Sequence, residues 1–410
     1  MIIDIGNKIV IWGAGNQGRA AYYFLNRKYE IVGFLDSDIA KIGCEIIDGK
    51  RVLDYRKIKE FIVIACGKWR EVSKELQKKG FNLLIDFIPY NMLYMKNLRL
   101  NDFFDCFGVS GIHKFFVEIK KYKQLALIYG NCQTEIMANM LEYNEEFSQR
   151  YVLLRVPQIH MYRDEEQIEQ LFYKHDLMQL IQLFIYQNVR ENNRFNAKLG
   201  TKNILMRISN KCKKIPIHNI YFDGYFIQYD ADDSRYYKNM NQKDFPYTDG
   251  IVDELIKRNK SIDEILELVL DEDFISKEEV YAKCEDSINN LRQREKDVDI
   301  PIVDYIEQNY RNEQLFYTYN HPKNIVMYEY VRRILKALGI GNTDTFTEEE
   351  LNMEFGTLRA ANNFPIYPCV ISALGLKRYE YKMRISHITP RLVAMKEYIR
   401  EYIERCYGVE

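Results

Sequence analysis

The sequence lacks any apolar run of roughly eighteen residues, so no segment reads as a membrane-spanning helix. It has almost no net charge, −1 at pH 7, which removes a global electrostatic pull toward nucleic acid or an anionic membrane. Its cysteines (Cys44, Cys66, Cys106, Cys132, Cys212, Cys284, Cys369 and Cys406) are scattered, with no C-x-x-C pair. That spacing argues against a disulfide framework or a zinc site and fits a reducing compartment. No H-E-x-x-H, paired Cys/His or carboxylate ladder points to a metal. Internal repeats and low-complexity tracts are missing too. The opening Met1-Ile2-Ile3-Asp4 places an acid where a secretory signal needs basic residues. The expectation is a cytoplasmic globular protein with no nucleic-acid partner and no membrane span, with two or three domains in 410 residues.

What the sequence does have is 47% hydrophobic and 29% charged residues, the balance of a chain with a folded core. From the start, apolar runs alternate with glycine turns and amphipathic stretches. Lys8 to Trp12, Glu30 to Leu35, Phe61 to Ala65 and Leu83 to Ile88 read as strands; Arg19 to Arg27 and Trp69 to Lys79 read as helices. This alternation predicts a parallel sheet with right-handed crossovers. About four strands fit, half of a full dinucleotide fold. The fold class expected is therefore α/β, with a half-Rossmann domain over residues 1–95. A linker over 96–120 would lead to a larger α/β domain over 121–410 with a helical insertion at about 249–314. In that second part, Gln124 to Tyr129 and Tyr151 to Val156 read as strands, while Asp176 to Tyr186 fits a strand or a buried helix equally. Ser261–Glu264, Ser276–Glu279 and Thr347–Glu350 match helix-capping patterns. Asn320-His321-Pro322 stands before a periodic helix, with Pro322 at its first position and His321 or Asn320 as its cap. A last amphipathic helix is expected over about Thr389 to Tyr407.

The first candidate for chemistry is the turn Gly13-Ala14-Gly15-Asn16-Gln17-Gly18. Between a strand and a helix, such glycines permit a tight turn, close approach to a phosphate, and close helix packing. Free N–H groups at the helix start favour an anion. Asp36, ending the second strand, stands where a carboxylate reaches ribose hydroxyls. Gly13, Gly15, Asn16, Gly18 and Asp36 are thus the expected nucleotide site. Half a fold leaves little to hold a nicotinamide for hydride transfer. The sequence leaves open whether the turn holds NAD, a nucleotide-sugar, or serves packing alone.

The second candidate is Gly130-Asn131-Cys132-Gln133, again between a strand and a helix. A thiol over free N–H groups is expected to have a lowered pKa. The same N–H groups, with the Asn131 and Gln133 amides, are suited to hold an oxyanion. The third is Asn320-His321. A helix start disfavours imidazolium, which would keep His321 in the neutral form a general base needs. Together Cys132 and His321 would make a nucleophile–base pair. His160, Asp164, Arg155 and the Tyr221–Tyr225 turn are lesser candidates, and His113, His175, His218 and His387 read as isolated residues.

The segments LALIYGNCQTEIMANML (Leu125 to Leu141) and LFYTYNHPKNIVMYEYVRRIL (Leu315 to Leu335) resemble the WcbI-type polysaccharide biosynthesis proteins. YFDGYF (Tyr221 to Phe226) and PIYPCV (Pro365 to Val370) are similar to that family as well. The resemblance, from about Lys121 onward, implies an acetyltransferase of bacterial capsule or surface-glycan pathways that binds coenzyme A. It also implies a layout similar to the SGNH esterases, with Cys132 in the serine position. The late Asp-x-x-His of those esterases is not recognisable here. The N-terminal region resembles the small Rossmann domains attached to sugar acyltransferases, though no hexapeptide repeat follows it.

The function expected is acetyl transfer from coenzyme A (acetyl-CoA as donor) to a sugar hydroxyl. Cys132 and His321 would act in catalysis; Gly130, Asn131, Gln133 and Asn320 would hold the oxyanion or coenzyme. An SGNH-like esterase and a non-catalytic nucleotide-sugar or coenzyme A module are the alternatives. The expected partners are a sugar or polysaccharide precursor and coenzyme A; a homo-oligomer is left open.

Overall fold

In a computed structural model the chain is described at residues 5–162, 164–229, 245, 247–341, 344–358, 364–385 and 391–408. It divides into two compact units, one of residues 1–130 and 142–214, the other of residues 131–141 and 215–410.

The first unit is an α/β unit carrying two sheets. Strands β1 (Lys8–Trp12), β2 (Glu30–Leu35), β5 (Phe61–Ile64) and β6 (Phe87–Pro89) pair in parallel in the order β2-β1-β5-β6. Between β2 and β5 lies a short antiparallel hairpin, β3 (Glu45–Ile47) with β4 (Lys50–Arg51). Ile9, Val10 and Ile11 are all fully buried, which is why β1 reads as an unbroken apolar run instead of an alternating one. The second sheet has the order β11-β10-β8-β9-β7. Its members are β7 (Leu98–Arg99), β8 (Gln124–Tyr129), β9 (Tyr151–Arg155), β10 (Leu183–Gln187) and β11 (Lys213–Ile217), from which the chain passes into the second unit. Pairing is parallel from β10 through β8 and β9 to β7.

The helices of this unit are α1 (Asn16–Leu25), α2 (Trp69–Lys78), α3 (Tyr90–Tyr94) and α4 (Leu100–Ile119). After α5 (Gln133–Tyr143) come α6 (Glu145–Arg150), α7 (Glu165–Phe172) and α8 (Thr201–Leu205). Residues 96–120, expected as a linker, instead supply β7 and α4. Leu98 pairs with Leu154, and Gly108, at φ 63°, breaks α4 into two helical pieces that bury Phe103, Phe104, Phe115 and Phe116. That break hid the 3.6-residue period. The ambiguous stretch after Asp176 resolves into a 3-10 turn (Asp176–Leu180) followed by β10.

The second unit is mainly helical: α9 (Gly250–Lys257), α10 (Ile262–Val269), α11 (Lys277–Glu295), α12 (Val303–Asn309), α13 (Asn324–Ala337), α14 (Glu348–Phe355), α15 (Pro368–Leu374) and α16 (Met395–Tyr407). Two hairpins interrupt them, β12 (Phe316–Thr318) with β13 (His321–Pro322), and β14 (Lys382–Ile385) with β15 (Arg391–Ala394). Capping boxes form at Ser261–Glu264, Ser276–Glu279 and Thr347–Glu350. The last helix starts at Met395, after β15, and not near Thr389, which lies outside the described residues.

The glycine turn separates packing from access. Gly13 has φ +134°, and a Cβ there would meet the Ala65 carbonyl oxygen at 2.4 Å. A Cβ on Gly18 would meet the Gly13 carbonyl oxygen at 1.7 Å. Gly15 faces open space. Gly18→Ala should therefore lower unfolding stability by about 2 kcal/mol in urea titration, while Gly15→Ala should change it by less than about 1 kcal/mol. Equal effects at the two positions would contradict this division.

Candidate functional site

Two segments nearly two hundred residues apart in sequence meet in the second unit, and the side chain that joins them is Gln133. It opens α5 and is 1% exposed. Its Nε2 donates to the carbonyls of Ile220 (2.8 Å) and Asn320 (3.0 Å), and its Oε1 accepts the Ile220 N–H (2.9 Å). The residue after Cys132 is thereby bonded to the residue before His321. The expectation that the Gln133 amide holds an oxyanion is corrected here, because both of its donor positions are committed to backbone carbonyls. Asn320 likewise contributes to the joint through its own carbonyl.

At the turn itself, Gly130 follows β8, and its carbonyl accepts the Ile159 N–H at 3.1 Å. Asn131 Oδ1 accepts the Gln133 N–H (3.0 Å), and its carbonyl accepts the Thr134 N–H (3.1 Å) and hydroxyl (2.7 Å). This Asx turn uses the short polar side chain to start a helix. The Cys132 thiol does not have the lowered pKa that the sequence suggested. Burial pushes it up from the ordinary 9.0, and the N–H groups of Cys132 and Gln133 only partly offset that. Desolvation of the charged form outweighs the helix start. At neutral pH the thiol is protonated.

His321 does not cap a helix. It lies on β13, opposite Thr318, and α13 begins only at Asn324. The α13 start is capped from α14 instead: Glu348 accepts the N–H groups of Asn324 (3.2 Å) and Ile325 (2.6 Å). What positions His321 is a pair of hydroxyls, with Thr318 Oγ1 at 2.8 Å and Tyr247 Oη at 3.0 Å from its Nδ1. Both hydroxyls also approach Asn320 Oδ1, at 2.9 and 3.1 Å. Burial raises the Tyr247 phenol well above its ordinary value, so it stays a proton donor. The hairpin turn is clamped by aromatic rings. Tyr319 stacks on Tyr229 at 3.9 Å and on Tyr221 at 5.6 Å between centroids. Thr318, Tyr319 and Tyr247 were missed in the sequence. Thr318 and Tyr319 stand beside the Asn-His pair and adjacency flags them, but Tyr247 carries no local signal.

The lesser candidates hold structure. Arg155 forms a buried ion pair with Glu142. Asp164 caps α7 through the Gln167 N–H (2.8 Å), and His175 caps the 3-10 turn at Leu177 (3.1 Å). Asp223 pairs with Lys283, and Tyr225 Oη donates to the carbonyl of Tyr310 (2.7 Å). His218 packs beside Glu295 at 3.5 Å, His113 is exposed, and His160 sits beside Phe195. His387 lies outside the described residues. Among the described residues no group of three or more His, Cys, Asp or Glu is arranged for a metal, and no helix is long and apolar enough to cross a membrane.

In the first unit, Asp36 is already engaged. Its carboxylate accepts Lys41 Nζ (3.0 Å), the Asp38 N–H (3.0 Å) and the Ala14 N–H (3.3 Å). Burial acts to raise its pKa, but these donors outweigh it and the net shift is downward. Beside α1, a cavity of about 510 Å³ is bordered by Gln17, Phe24, Cys66, Gly67, Tyr90 and Asn91.

The family profile described as polysaccharide biosynthesis enzyme WcbI matches residues 125–343, more than half of the chain, and spans both the Cys132 turn and the His321 hairpin. The chain belongs to the WcbI family. A solved WcbI structure is 20% identical, with a TM-score of 0.57 over 70% of this chain and 91% of that one. It is described as a polysaccharide biosynthesis enzyme, in the native form without a disulfide bond between coenzyme A and one of its cysteines. At that identity the likeness to WcbI shows the α/β fold alone. A second profile, described as C2185-like, N-terminal, matches residues 5–82. The redox-sensing transcriptional repressors Rex 1 of Thermotoga maritima and Rex of Thermotoga petrophila are each 33% identical over 95 residues, 20% of this chain. The chain spans about half the length of these curated relatives, 46%.

Two measurements check this reading of the site. Gln133→Met leaves the buried Ile220 N–H without its acceptor, and should cost about 2–3 kcal/mol in urea unfolding. Alkylation of Cys132 by iodoacetamide should follow a pH profile with its midpoint above 9.0, the ordinary thiol value. A midpoint near neutrality would contradict the burial argument.

Proposed function

We propose that this WcbI-family chain transfers an acetyl group from coenzyme A to a sugar hydroxyl during synthesis of a bacterial surface or capsular polysaccharide. The observation that carries the proposal is the joint between the Cys132 turn and the hairpin whose imidazole is held at Nδ1. The description of the WcbI relative names coenzyme A, which supports it as the donor. The family's place in polysaccharide biosynthesis supports a sugar acceptor.

In the proposed reaction His321 takes the proton of the sugar hydroxyl as its oxygen attacks the thioester carbonyl. The tetrahedral oxyanion collapses, the carbon–sulfur bond breaks, and the departing coenzyme thiolate receives the proton from the imidazolium. With Gln133 committed to the joint, Asn131 and the backbone around Gly130 are the groups proposed to border the oxyanion and coenzyme; removing such a donor costs about 10²–10³-fold in rate. The raised Cys132 pKa favours direct transfer over an acyl–cysteine intermediate, since the thiolate is the nucleophile. Cys132 then borders the reacting thioester.

For the N-terminal unit the proposal is recognition of a nucleotide-bearing ligand at Gly13, Gly15, Asn16 and Gly18. Open space at Gly15 and the neighbouring cavity support it. Asp36 would reach a ribose only by sharing its bonds to Lys41 and Ala14.

The test is incubation with acetyl-CoA and candidate sugars, with free coenzyme thiol, acetylated sugar and acetate measured together. Thiol release matched by acetylated sugar is expected. Acetate release from an acetylated glycan, with no transfer, would assign an esterase instead. His321→Gln should lower kcat by about 10²–10⁴-fold, while Cys132→Ser should stay within about tenfold of the parent.

A further inference from the structure

Four polar atoms in the site form a closed ring of contacts: Asn320 Oδ1, Thr318 Oγ1, His321 Nδ1 and Tyr247 Oη. Around the ring the separations are 2.9, 2.8, 3.0 and 3.1 Å, and the two hydroxyl oxygens stand 3.2 Å apart across it. A carbonyl oxygen of an amide side chain brings no proton. Each hydroxyl brings one proton, and the imidazole nitrogen brings one or none. If Nδ1 carries no proton, two hydrogens must serve four edges. Two edges would then set lone pair against lone pair at hydrogen-bond distance. If Nδ1 is protonated, it donates across the ring to the hydroxyl oxygens, and both hydroxyl protons turn to Asn320 Oδ1. Every edge then holds a hydrogen, one of them shared.

We infer that Asn320, acting through Thr318 and Tyr247, fixes His321 as the Nδ1–H tautomer and leaves Nε2 as the basic nitrogen. Asn320 is a positioning residue: it acts on the base by orienting two hydroxyls and does not itself take a proton. At Nδ1 the two hydroxyls orient the ring, the task a carboxylate has in a triad. The imidazolium formed in a reaction cycle would gain the dipoles of these two hydroxyls at Nδ1. Thr318 is fully buried, and Tyr247 is flanked by Tyr319 and Phe364 at 5.6 and 5.8 Å between ring centroids. Packing therefore restrains both hydroxyls, and the direction of their protons is the freedom left for Asn320 to set. The role of Nε2 as a base rests on the acyl-transfer proposal; the tautomer itself does not.

The tautomer is read directly in the full-length chain, without substrate. ¹⁵N-histidine labelling with long-range N–H correlation distinguishes a protonated from an unprotonated ring nitrogen, and His321→Gln identifies the signals. The expected pattern is a protonated Nδ1 and an unprotonated Nε2 at a pH above the imidazole midpoint. Asn320→Asp keeps an acceptor at the same place, so the tautomer should persist and the midpoint should rise by about one pH unit. Asn320→Leu should abolish the preference for Nδ1–H. An unprotonated Nδ1 in the parent would overturn the inference, and would mean that the Asn320 nitrogen faces the hydroxyls. An unchanged tautomer in Asn320→Leu would overturn it as well; should that variant fail to fold, the parent and the aspartate variant still decide. The Nδ1–H pattern without acetyl transfer would leave this inference standing and remove the proposed function. Transfer with the opposite tautomer would do the reverse.

Discussion

Everything proposed for this site depends on one buried amide. Gln133 bonds the backbone of Ile220 in both directions and the backbone of Asn320 once. Each bond contributes only about 1 kcal/mol net, but a buried partner left unpaired costs more than that. The constraint therefore works through its alternative: the hairpin cannot leave the Cys132 turn without stranding polar groups inside the protein. The same commitment decides what Gln133 does not do. A side chain fully occupied in bonding backbone is not a mobile donor for a substrate.

The competition at Cys132 follows from the same burial. A helix start and two N–H groups favour the thiolate, while loss of water favours the thiol, and here loss of water prevails. A strand-turn-helix cysteine is thus poor ground for assuming a nucleophile. The imidazole of His321 has a different environment, in which two hydroxyls contact Nδ1 at short range and no helix start lies at the ring. Polarity at this site is arranged by orientation, with no formal charge among those contacts.

Much of this architecture was legible in the sequence because the signals were local. Buried parallel strands such as Lys8–Trp12 and Gln124–Tyr129 announce themselves as short apolar runs. Capping boxes such as Ser276–Glu279 depend on residues three apart. Both site motifs were visible as strand-turn-helix and Asn-His-Pro. What failed was whatever the fold decides at long range. Gly108 breaks the period of α4, so a helix read as a linker. Pro322 pairs with Phe316 and ends a two-residue strand instead of opening α13, whose start is capped by Glu348 from another helix. Tyr247 reaches His321 across 74 positions, and no spacing rule predicts that. In the first unit, Asp36 stands where a ribose ligand is expected, yet its salt bridge to Lys41 was not foreseeable from the motif.

The central claim is that coenzyme A and the sugar meet where the Cys132 turn joins the His321 hairpin. Hydrogen–deuterium exchange of the intact chain, with and without acetyl-CoA, tests it most directly. The account predicts that the coenzyme slows exchange in peptides covering residues 130–136 and 316–325 together. Protection confined to residues 13–41, or none at all at saturating coenzyme, would contradict it.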